Sequence, residues 1–358
     1  MRLVLSMCFA VVMLISTGIQ AQTLQMTDKT IQDKVSSIMS KMSLEEKIGQ
    51  MIIVDYIPLH FDLQSIVKYN IGNVLFGPDS DPDLNTAGTW ASYIDSLQNI
   101  ALSSNLKIPL FIAADAVRGH NNISNGTFFP HNIAMGCTRN SRLVMEEGKI
   151  TATELAATGV RLAFSPCYIA SQDIRWGGTF ESYSENESIV KTMSQAYNSG
   201  FNSTVLPDGG KVVNCPKIFG NVSLVFDEGV LSNKLNTKEG AHFSFDDSLI
   251  VNSKSLYVRL DQLAENGMLL NSLKKNPQFN GFVVGDWESV NSIPEDYYTI
   301  IKKSVNAGVD MFIEMSTYKK FFDAMKLCVA SGDISNDRID DAVRRILYQK
   351  VASGLFEH

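Results

Sequence analysis

Charged side chains stand at the ends of several apolar runs in this sequence, where they could do chemistry together. Asp115 follows "PLFIAA", Lys217 lies within "VVNCPKIF", Asp286 follows "FVVG" and Glu314 follows "DMFI". A carboxylate can act as nucleophile, base or hydrogen-bond acceptor, and an ammonium group donates hydrogen bonds and balances negative charge. If the runs are parallel strands of a barrel, their carboxyl ends open onto one face, and these side chains converge there.

Two neighbouring segments carry groups suited to binding a sugar. Residues 115–122, "DAVRGHNN", set a histidine and two amides beside Asp115, and residues 173–178, "DIRWGG", set Arg175 beside Trp176. Carboxylate, amide and guanidinium groups hydrogen-bond sugar hydroxyls, while an indole covers the apolar face of the ring. An acid at a strand end can also simply cap the next helix. That alternative explains any one of these residues alone, whereas the whole set favours a binding site.

Composition and spacing argue against several other kinds of site. A formal net charge of -7 and a pI near 5.3 disfavour nucleic acid or an anionic membrane as partner and suit a neutral substrate. No pair of histidines has helical metal-ligand spacing and no CxxC occurs, so we expect no metal site and no cofactor. The sequence also lacks a G-x-S-x-G nucleophile elbow and a G-x-G-x-x-G after a strand. A serine-type hydrolase and a nucleotide-binding sheet are therefore disfavoured.

Seven short runs of continuous hydrophobicity are separated by longer segments with helical spacing. Continuous rather than alternating hydrophobicity is typical of strands buried on both faces, as in parallel sheets. Ser43 and Glu46 form a capping box for a helix that reaches Gln50, and a second helix spans Ser335 to Leu347. The pattern predicts an α/β fold, either a barrel or a doubly wound sheet. The runs are GQMIIVDY from residue 49, IGNVLFG from 71, IPLFIAAD from 108, VRLAFSPC from 160, KVVNCPKIFG from 211, GFVVGDW from 281 and VDMFIEM from 309.

Residues 221–280 lack this alternation of apolar runs and helical segments. The stretch "NVSLVFDEGVLSNKLNTKEGAHFSFDD" is polar and broken, and no clear buried strand precedes Gly281. The chain is nevertheless long enough for a TIM-type barrel of about 250 residues with extensions. We therefore predict a (β/α)8 TIM-type barrel that is incomplete around residues 221–280, with its eighth strand missing or disguised there.

The amino terminus predicts export. Residues 1–21 contain a basic residue, an apolar run too short to span a bilayer, and small residues near Ala21, as in a signal peptide. We expect a mature, secreted domain of residues 22–358 without a membrane anchor. Four cysteines remain after removal of the signal peptide, which is too few for a disulfide scaffold. Five N-x-S/T sequons fit a glycoprotein if the host is a eukaryote: Asn122, Asn125, Asn186, Asn202 and Asn221.

Ordered segments along the chain match the pattern of one known family. They are KMSLEEKIGQM (41–51), IPLFIAADAVRGHNN (108–122), FFPHNIAMGCTRN (128–140), ELAATG (154–159), DIRWGGTFESYSEN (173–186), GFVVGDWESV (281–290) and RIDDAVRRIL (338–347). Together they resemble the amino-terminal barrel domain of glycoside hydrolase family 3, most closely its plant-type β-glucosidase and exo-β-glucanase branch. The resemblance implies a (β/α)8 barrel that releases β-linked glucose from the non-reducing ends of β-glucosides or β-glucans with retention of anomeric configuration. In a plant it would also imply a location in the cell wall or apoplast.

The resemblance implies roles for individual residues as well. Asp286 matches the catalytic nucleophile, and Asp115, Arg175 and Lys217 match residues that bind the sugar; we assign the neighbouring Trp287 to substrate binding with them. A retaining glycosidase needs one ionised carboxylate to attack the anomeric carbon and a second carboxyl group about 5 Å away to protonate the leaving oxygen. Asp286 suits the first task only.

Departures from the family pattern motivate an alternative. Ile218 follows Lys217 where a histidine is usual, and Gly178 replaces an arginine. The sequence reaches His358 without a match to the family's second domain, which carries the general acid, so we expect that domain to be absent or supplied by a separate chain. The alternative is a catalytically impaired or non-catalytic descendant that binds glucosides or glucan. Candidates for an acid within this sequence are Asp227, Glu228 and Glu314.

Overall fold

The computed structural model describes most of the chain after its amino-terminal segment. The described residues are 29–77, 80–171, 174, 177–206, 210–218, 225–227, 230–232, 253–258, 260, 273–286, 290 and 295–357. They form a parallel barrel with surrounding helices and a separate antiparallel strand pair. Within this part of the chain, every helix is too short or too polar to cross a membrane.

Eleven strands are defined and numbered here in chain order. Strands β1 to β6 and β9 to β11 form one sheet in which neighbours run parallel, whereas β7 and β8 form the antiparallel pair. Their bounds are β1 Ile52–Asp55, β2 Asn73–Phe76, β3 Phe111–Ala114, β4 Leu162–Ala163, β5 Val213–Asn214, β6 Lys217–Ile218, β7 Val225–Asp227, β8 Val230–Ser232, β9 Ser255–Val258, β10 Phe282–Gly285 and β11 Met311–Glu314.

The parallel sheet curls into a barrel with eight strand positions. Its strand order is β5, β4, β3, β2, β1, β11, β10, β9, β6. The two end strands, β5 and β6, are consecutive parts of one segment, separated by Cys215 and Pro216. The segment bonds to both neighbours: the Lys217 amide donates to the Pro166 carbonyl on the β4 side at 2.9 Å, and the Pro216 carbonyl accepts from the Tyr257 amide of β9 at 3.0 Å. The prediction of a (β/α)8 TIM-type barrel is confirmed.

The eighth strand position is filled by β9, in the stretch where no strand was clear from the sequence. Its apolar run is only Leu256, Tyr257 and Val258, so the hydrophobic signal is too short to stand out. Ser255 is buried all the same, and its hydroxyl donates a hydrogen bond to the Asn214 carbonyl at 3.1 Å. Of the two alternatives left open by the sequence, the strand is therefore disguised rather than missing.

Helices alternate with the barrel strands along the chain, as the sequence predicted. The described helices of α type are α1 Lys29–Met39, α2 Leu44–Gln50, α3 Tyr56–His60, α4 Ser65–Lys68, α5 Ala87–Leu102, α6 Asn132–Cys137, α7 Ser141–Ala157, α8 Glu187–Ser203, α9 Tyr297–Ala307, α10 Tyr318–Ala330 and α11 Asn336–Ala352. Short 3-10 helices cover Thr179–Glu181 and Leu355–Glu357.

Two helices confirm predictions made from their end signals. At α2 the Glu46 amide donates to the Ser43 hydroxyl at 3.2 Å, and the Ser43 amide donates to the Glu46 carboxylate at 2.8 Å, which completes the capping box. At α11 Ser335 caps the first turn, and the helix continues five residues beyond the predicted Leu347 to Ala352. The predicted apolar face of α11 is fully buried: Ile339, Val343, Ile346 and Leu347.

A lysine from the last helix lies in the amino-terminal end of the barrel. The side-chain nitrogen of Lys350 is completely buried and lies within hydrogen-bond distance of the Gln50 side-chain oxygen at 2.8 Å, the Gly72 carbonyl at 2.7 Å and the Pro109 carbonyl at 2.8 Å. These acceptors precede β1, β2 and β3 in sequence. Burial lowers the pKa of Lys350 well below its usual value, and its hydrogen bonds tie α11 to the starts of three strands.

Candidate functional site

The site begins with an ion pair between residues far apart in sequence. Asp115 directly follows β3, and Lys217 is the first residue of β6. The Lys217 ammonium lies 2.9 Å from Oδ1 of Asp115 and donates a hydrogen bond to its Oδ2 at 3.1 Å. The Lys217 side chain is 7% exposed and that of Asp115 is 31% exposed, so the carboxylate faces the solvent-accessible side. The predicted convergence of these two residues is found.

A second carboxylate, not among the residues predicted from the sequence, contacts the same ammonium. Glu181 ends the short 3-10 helix in the loop after β4, and its Oε2 lies 3.4 Å from the Lys217 nitrogen. The thiol of Cys167 donates to the same Oε2 at 3.4 Å. Glu181 lies inside the family-like segment DIRWGGTFESYSEN. That likeness was the only signal in the sequence that could have drawn attention to it.

The carboxylates near Lys217 determine the protonation states of the Lys217 amine and the Cys167 thiol. Burial alone would lower the pKa of Lys217, but the carboxylates of Asp115 and Glu181 outweigh burial and hold the pKa well above its usual value. Burial, reinforced by the charge of Glu181, raises the pKa of the Cys167 thiol well above its usual value. Lys217 is therefore a permanent cation, and Cys167 stays a neutral thiol.

Asp286 stands at the carboxyl end of β10 and is held by the neighbouring strand β9. Its amide donates to the Val258 carbonyl at 2.8 Å, and the hydroxyl of Tyr257 donates to its Oδ1 at 2.6 Å. The Asp286 side chain is only partly buried, so it remains open to a ligand. The Tyr257 ring lies 5.7 Å from the Lys217 nitrogen and connects Asp286 to the ion-pair group.

Tyr257 is suited to act as a permanent hydrogen-bond donor. Burial raises the pKa of its hydroxyl well above the usual value, and the nearby Asp286 raises it further. A neutral phenol aimed at a carboxylate fixes the direction of that carboxylate without neutralising it. Tyr257 could not be recognised from the sequence, because the hydrophobic run of the strand that carries it is too short.

The arrangement combines an oriented carboxylate with a group of hydrogen-bonding charges at the same end of the barrel. Asp286 can attack an electrophilic carbon, because its Oδ1 is held by Tyr257 while the side chain stays accessible. Asp115 and Lys217 offer acceptors and a donor for hydroxyl groups. Such a site is suited to a neutral, hydroxyl-rich ligand that undergoes nucleophilic substitution.

Glu314 follows a different pattern from Asp286, although both come at the end of a barrel strand. Gly285 pairs with Phe312, so the next pair in register is Asp286 with Ile313, and Glu314 points to the other face of the sheet. Its buried carboxylate accepts a hydrogen bond from the Tyr297 hydroxyl at 2.8 Å and another from Thr317. The carboxylate of Glu314 is thus directed toward α9 rather than toward Asp286.

Several predicted site residues lie outside the described residues. Arg175, Trp287 and the acid candidate Glu228 are in this class, and Asp227 is described only as part of the backbone of β7. Their assignments stay predictions. In the described part of the chain, no three histidine, cysteine, aspartate or glutamate side chains come close enough together to hold a metal ion.

Comparison with known proteins gives one consistent family. The model of the "Glycosyl hydrolase family 3 N terminal domain" matches residues 43–348. A lysosomal β-glucosidase of Dictyostelium discoideum is 27% identical over 90% of this chain and 44% of its own length. A periplasmic β-glucosidase of Salmonella typhimurium is 24% identical over 90% of this chain and 42% of its own length. The chain therefore spans less than half the length of these two relatives.

Solved structures agree with the fold. An exo-1,3/1,4-β-glucanase from a Pseudoalteromonas species superposes with a TM-score of 0.77 at 28% identity, covering 92% of this chain and 43% of that one. A β-glucosidase from Listeria innocua, solved in complex with glucose, superposes with a TM-score of 0.72 at 22% identity, covering 91% of this chain and 47% of that one. At that lower identity the second likeness concerns the fold alone.

Proposed function

Because the chain belongs to glycoside hydrolase family 3, we propose that it hydrolyses the O-glycosidic bonds of β-glucosides or β-glucans. In this proposal it releases β-linked glucose from non-reducing ends and retains the anomeric configuration. The observation that supports it most directly is the Asp286 carboxylate, which is accessible at the end of β10 and oriented by the Tyr257 hydroxyl at 2.6 Å. The β-glucosidases and the exo-β-glucanase among its relatives support the same choice of substrate.

The proposed reaction has two displacement steps at the anomeric carbon. Asp286 attacks that carbon, the bond to the leaving oxygen breaks, and a glucosyl ester of Asp286 forms. Water then attacks the same carbon, releases glucose and restores the Asp286 carboxylate. Asp115 and Lys217 hold the sugar hydroxyls during both steps, and we assign Arg175 and Trp287 to the same sugar pocket.

The general acid of this reaction is proposed to come from outside the described barrel residues. Glu314 does not suit the role, because its carboxylate is buried and hydrogen-bonded by Tyr297 and Thr317 on the side facing α9. The relatives are more than twice as long as the matched region. A second domain, in the same protein or on a separate chain, is the source we propose. General acid catalysis contributes about 10² to 10⁴ in rate, so the barrel alone should favour substrates with good leaving groups.

We also propose that the protein is exported and, in a eukaryotic host, glycosylated. The segment of residues 1–21 supports export. Asn186 suits a glycan, since it is exposed and only its Oδ1 is used to cap α8. Asn122 does not, because its amide nitrogen donates to the carbonyls of Phe76 at 3.2 Å and Gly77 at 3.1 Å. Peptide mapping of the secreted protein would test both assignments.

Trapping of the glucosyl intermediate tests the proposed function directly. The full-length protein is incubated with 2,4-dinitrophenyl 2-deoxy-2-fluoro-β-glucoside, a probe that needs a nucleophile but hardly any acid. The expected result is one covalent adduct by intact mass, located on Asp286 by peptide mapping. Turnover of an aryl β-glucoside is measured in parallel.

Matched variants separate the nucleophile from other acids. Asp286→Asn should lose both the adduct and the turnover, whereas Asp323→Asn, at an exposed acid on α10, should keep both. Turnover that survives Asp286→Asn would refute the role of this residue. A folded wild-type protein that binds glucose but forms no adduct would instead favour the non-catalytic, glucoside-binding alternative.

A further inference from the structure

The ammonium of Lys217 is shared between two carboxylates, one of which has no assigned role. Asp115 approaches it to 2.9 Å and Glu181 to 3.4 Å. The Glu181 side chain is 19% exposed, less than the 31% of Asp115, so it lies behind the ion pair rather than at its open side. Two hydrogen bonds, to Asp115 and Glu181, use two of the three N–H groups of Lys217. The third N–H has no hydrogen-bond partner among the described residues.

Glu181 is held in place by contacts that do not involve a ligand. The Asn132 side chain, at the start of α6, donates to the Glu181 carbonyl at 2.8 Å, and the Glu181 amide donates to the Gly178 carbonyl at 2.9 Å. The Cys167 thiol donates to its carboxylate at 3.4 Å. Backbone and side chain are thus both fixed, and Glu181 presents a preformed anion to Lys217.

We infer that Glu181 is a positioning residue, which holds the Lys217 ammonium from behind while Asp115 holds it from the open side, and so fixes the ammonium where its third N–H can donate to a sugar hydroxyl. The inference rests on the proposed function and extends it to a residue that was not assigned. A lysine side chain is flexible, and one carboxylate alone leaves its ammonium free to shift about that partner. With Glu181 behind it at 3.4 Å and both Asp115 oxygens within 3.1 Å, the ammonium is held between two anions.

Replacement of Glu181 should therefore change binding more than chemistry. In Glu181→Gln the ammonium loses one of its two anionic partners, so it is held less firmly in the position from which it donates to the sugar. Loss of one charge-assisted hydrogen bond in the positioning network is expected to raise KM for 4-nitrophenyl β-glucoside about tenfold. The fall in kcat should be smaller, because Asp286 and Tyr257 are untouched.

A pH profile provides a readout that a purely structural role would not move. The titratable groups around the Lys217 ammonium are Asp115, Glu181, Cys167 and Tyr257. The two carboxylates raise the pKa of Lys217 against the effect of burial, so removal of Glu181 must lower it. Lys217 stays charged in the wild type, so a fall of kcat/KM at alkaline pH that appears in Glu181→Gln and not in the wild type is expected to report its lower pKa.

The experiment compares Glu181→Gln and Glu181→Asp with a control in the full-length protein. Glu187→Gln, at an exposed position in the first turn of α8, is the control and should match the wild type in all readouts. Glu181→Asp keeps the charge and should recover part of the affinity and of kcat/KM at alkaline pH. Unchanged KM and an unchanged pH profile of kcat/KM in folded Glu181→Gln would overturn the inference, and so would equal losses in Glu181→Gln and Glu181→Asp.

Glucose binding distinguishes failure of this inference from failure of the proposed function. If the wild type forms no adduct and has no turnover, the hydrolase proposal fails, and titration calorimetry with glucose then decides the role of Glu181. About tenfold weaker glucose binding in Glu181→Gln supports the positioning role, and equal affinity overturns it.

Discussion

The hydroxyl of Tyr257 donates a hydrogen bond of 2.6 Å to Oδ1 of Asp286, and the two residues belong to consecutive barrel strands. The Asp286 amide also bonds to β9, through the Val258 carbonyl at 2.8 Å. Strand β9 therefore holds both the backbone and the side chain of Asp286. The direction in which its carboxylate points depends on the buried phenol of Tyr257.

Tyr257→Phe should slow formation of the glucosyl intermediate while leaving the fold intact. Removal of one hydrogen bond to a charged group costs about 1.5 to 3 kcal/mol, which corresponds to a roughly ten- to hundredfold lower rate. The measurement is the rate of Asp286 labelling by the 2-fluoro probe. Tyr298→Phe, whose hydroxyl contacts Asp333 on the outside of the barrel, is the control. Equal labelling rates in Tyr257→Phe and the wild type would contradict the orienting role.

Glu147 is a buried acid without a partner in the described part of the chain. Neither of its carboxyl oxygens has a hydrogen-bond partner there, although the rings of Tyr183 and Tyr197 lie near enough for its charge to affect them. Burial raises the pKa of Glu147 to about 8, from an ordinary value of 4.5. Between these values the folded state holds a proton that the unfolded chain has lost, so stability falls as pH rises.

Glu147→Gln should remove this part of the pH dependence. The variant and the wild type are expected to have similar melting temperatures near pH 4.5, and the variant should become the more stable of the two as pH approaches 8. Thermal unfolding at several pH values measures the difference. Glu146→Gln, at the exposed neighbouring position, should follow the wild type. Parallel curves for Glu147→Gln and the wild type would show that Glu147 does not titrate in this range.

Lys350→Met should destabilise the amino-terminal end of the barrel. The substitution takes the Lys350 donor from the buried acceptors on Gln50 and Pro109 and one of two donors from the Gly72 carbonyl, which still accepts from the Phe111 amide at 3.1 Å. At roughly 1 kcal/mol or more for each acceptor left without a donor, the expected loss is about 2 kcal/mol. A melting temperature several degrees lower is the expected observation. Lys303→Met, which breaks only an exposed pair with Glu295, should cost less than about 1 kcal/mol.

The close contact of α7 and α8 depends on glycine. A Cβ at Gly200 would overlap the Met145 carbonyl oxygen, so Gly200→Ala should push the two helices apart and lower stability. Gly88→Ala in α5 meets no atom within 4 Å and should be neutral or stabilising by up to about 1 kcal/mol. Chemical denaturation gives the free energy of unfolding of the two variants. Equal values would show that α7 and α8 can move apart at this contact without loss of stability.

The barrel itself could be predicted because buried parallel strands need continuous apolar runs. Seven such runs became strands, and the residues that follow them lie at one end of the barrel. This is why Asp115 and Lys217, 102 residues apart, were expected together and are found 2.9 Å apart. The prediction used only the direction of the strands, which hydrophobic patterning specifies well.

The rest of the site could not be predicted, because it depends on short elements and on the path of a loop. Three apolar residues in β9 are too few to indicate a strand, so Tyr257 could not be recognised as a site residue. Glu181 reaches Lys217 only because the loop after β4 folds back across the barrel end, and nothing in the spacing of the two residues indicates such a path. Packing, rather than local pattern, decides both positions.

Residues 213–218 join two arcs of the barrel, because the Lys217 amide donates to the Pro166 carbonyl on one side and the Pro216 carbonyl accepts from the Tyr257 amide on the other. Asp115 comes from the arc of the barrel that ends at β5, whereas Tyr257 and Asp286 come from the arc that ends at β6. A glucose unit held between Asp115 and Asp286 would span the point where the two arcs meet. Because a ligand stabilises the state that binds it, a glucose unit that contacts both arcs should strengthen the hydrogen bonds of the segment that joins them. Hydrogen exchange in β5, β6 and β9 would slow when glucose is bound, far more than in β1 or β2 on the opposite side.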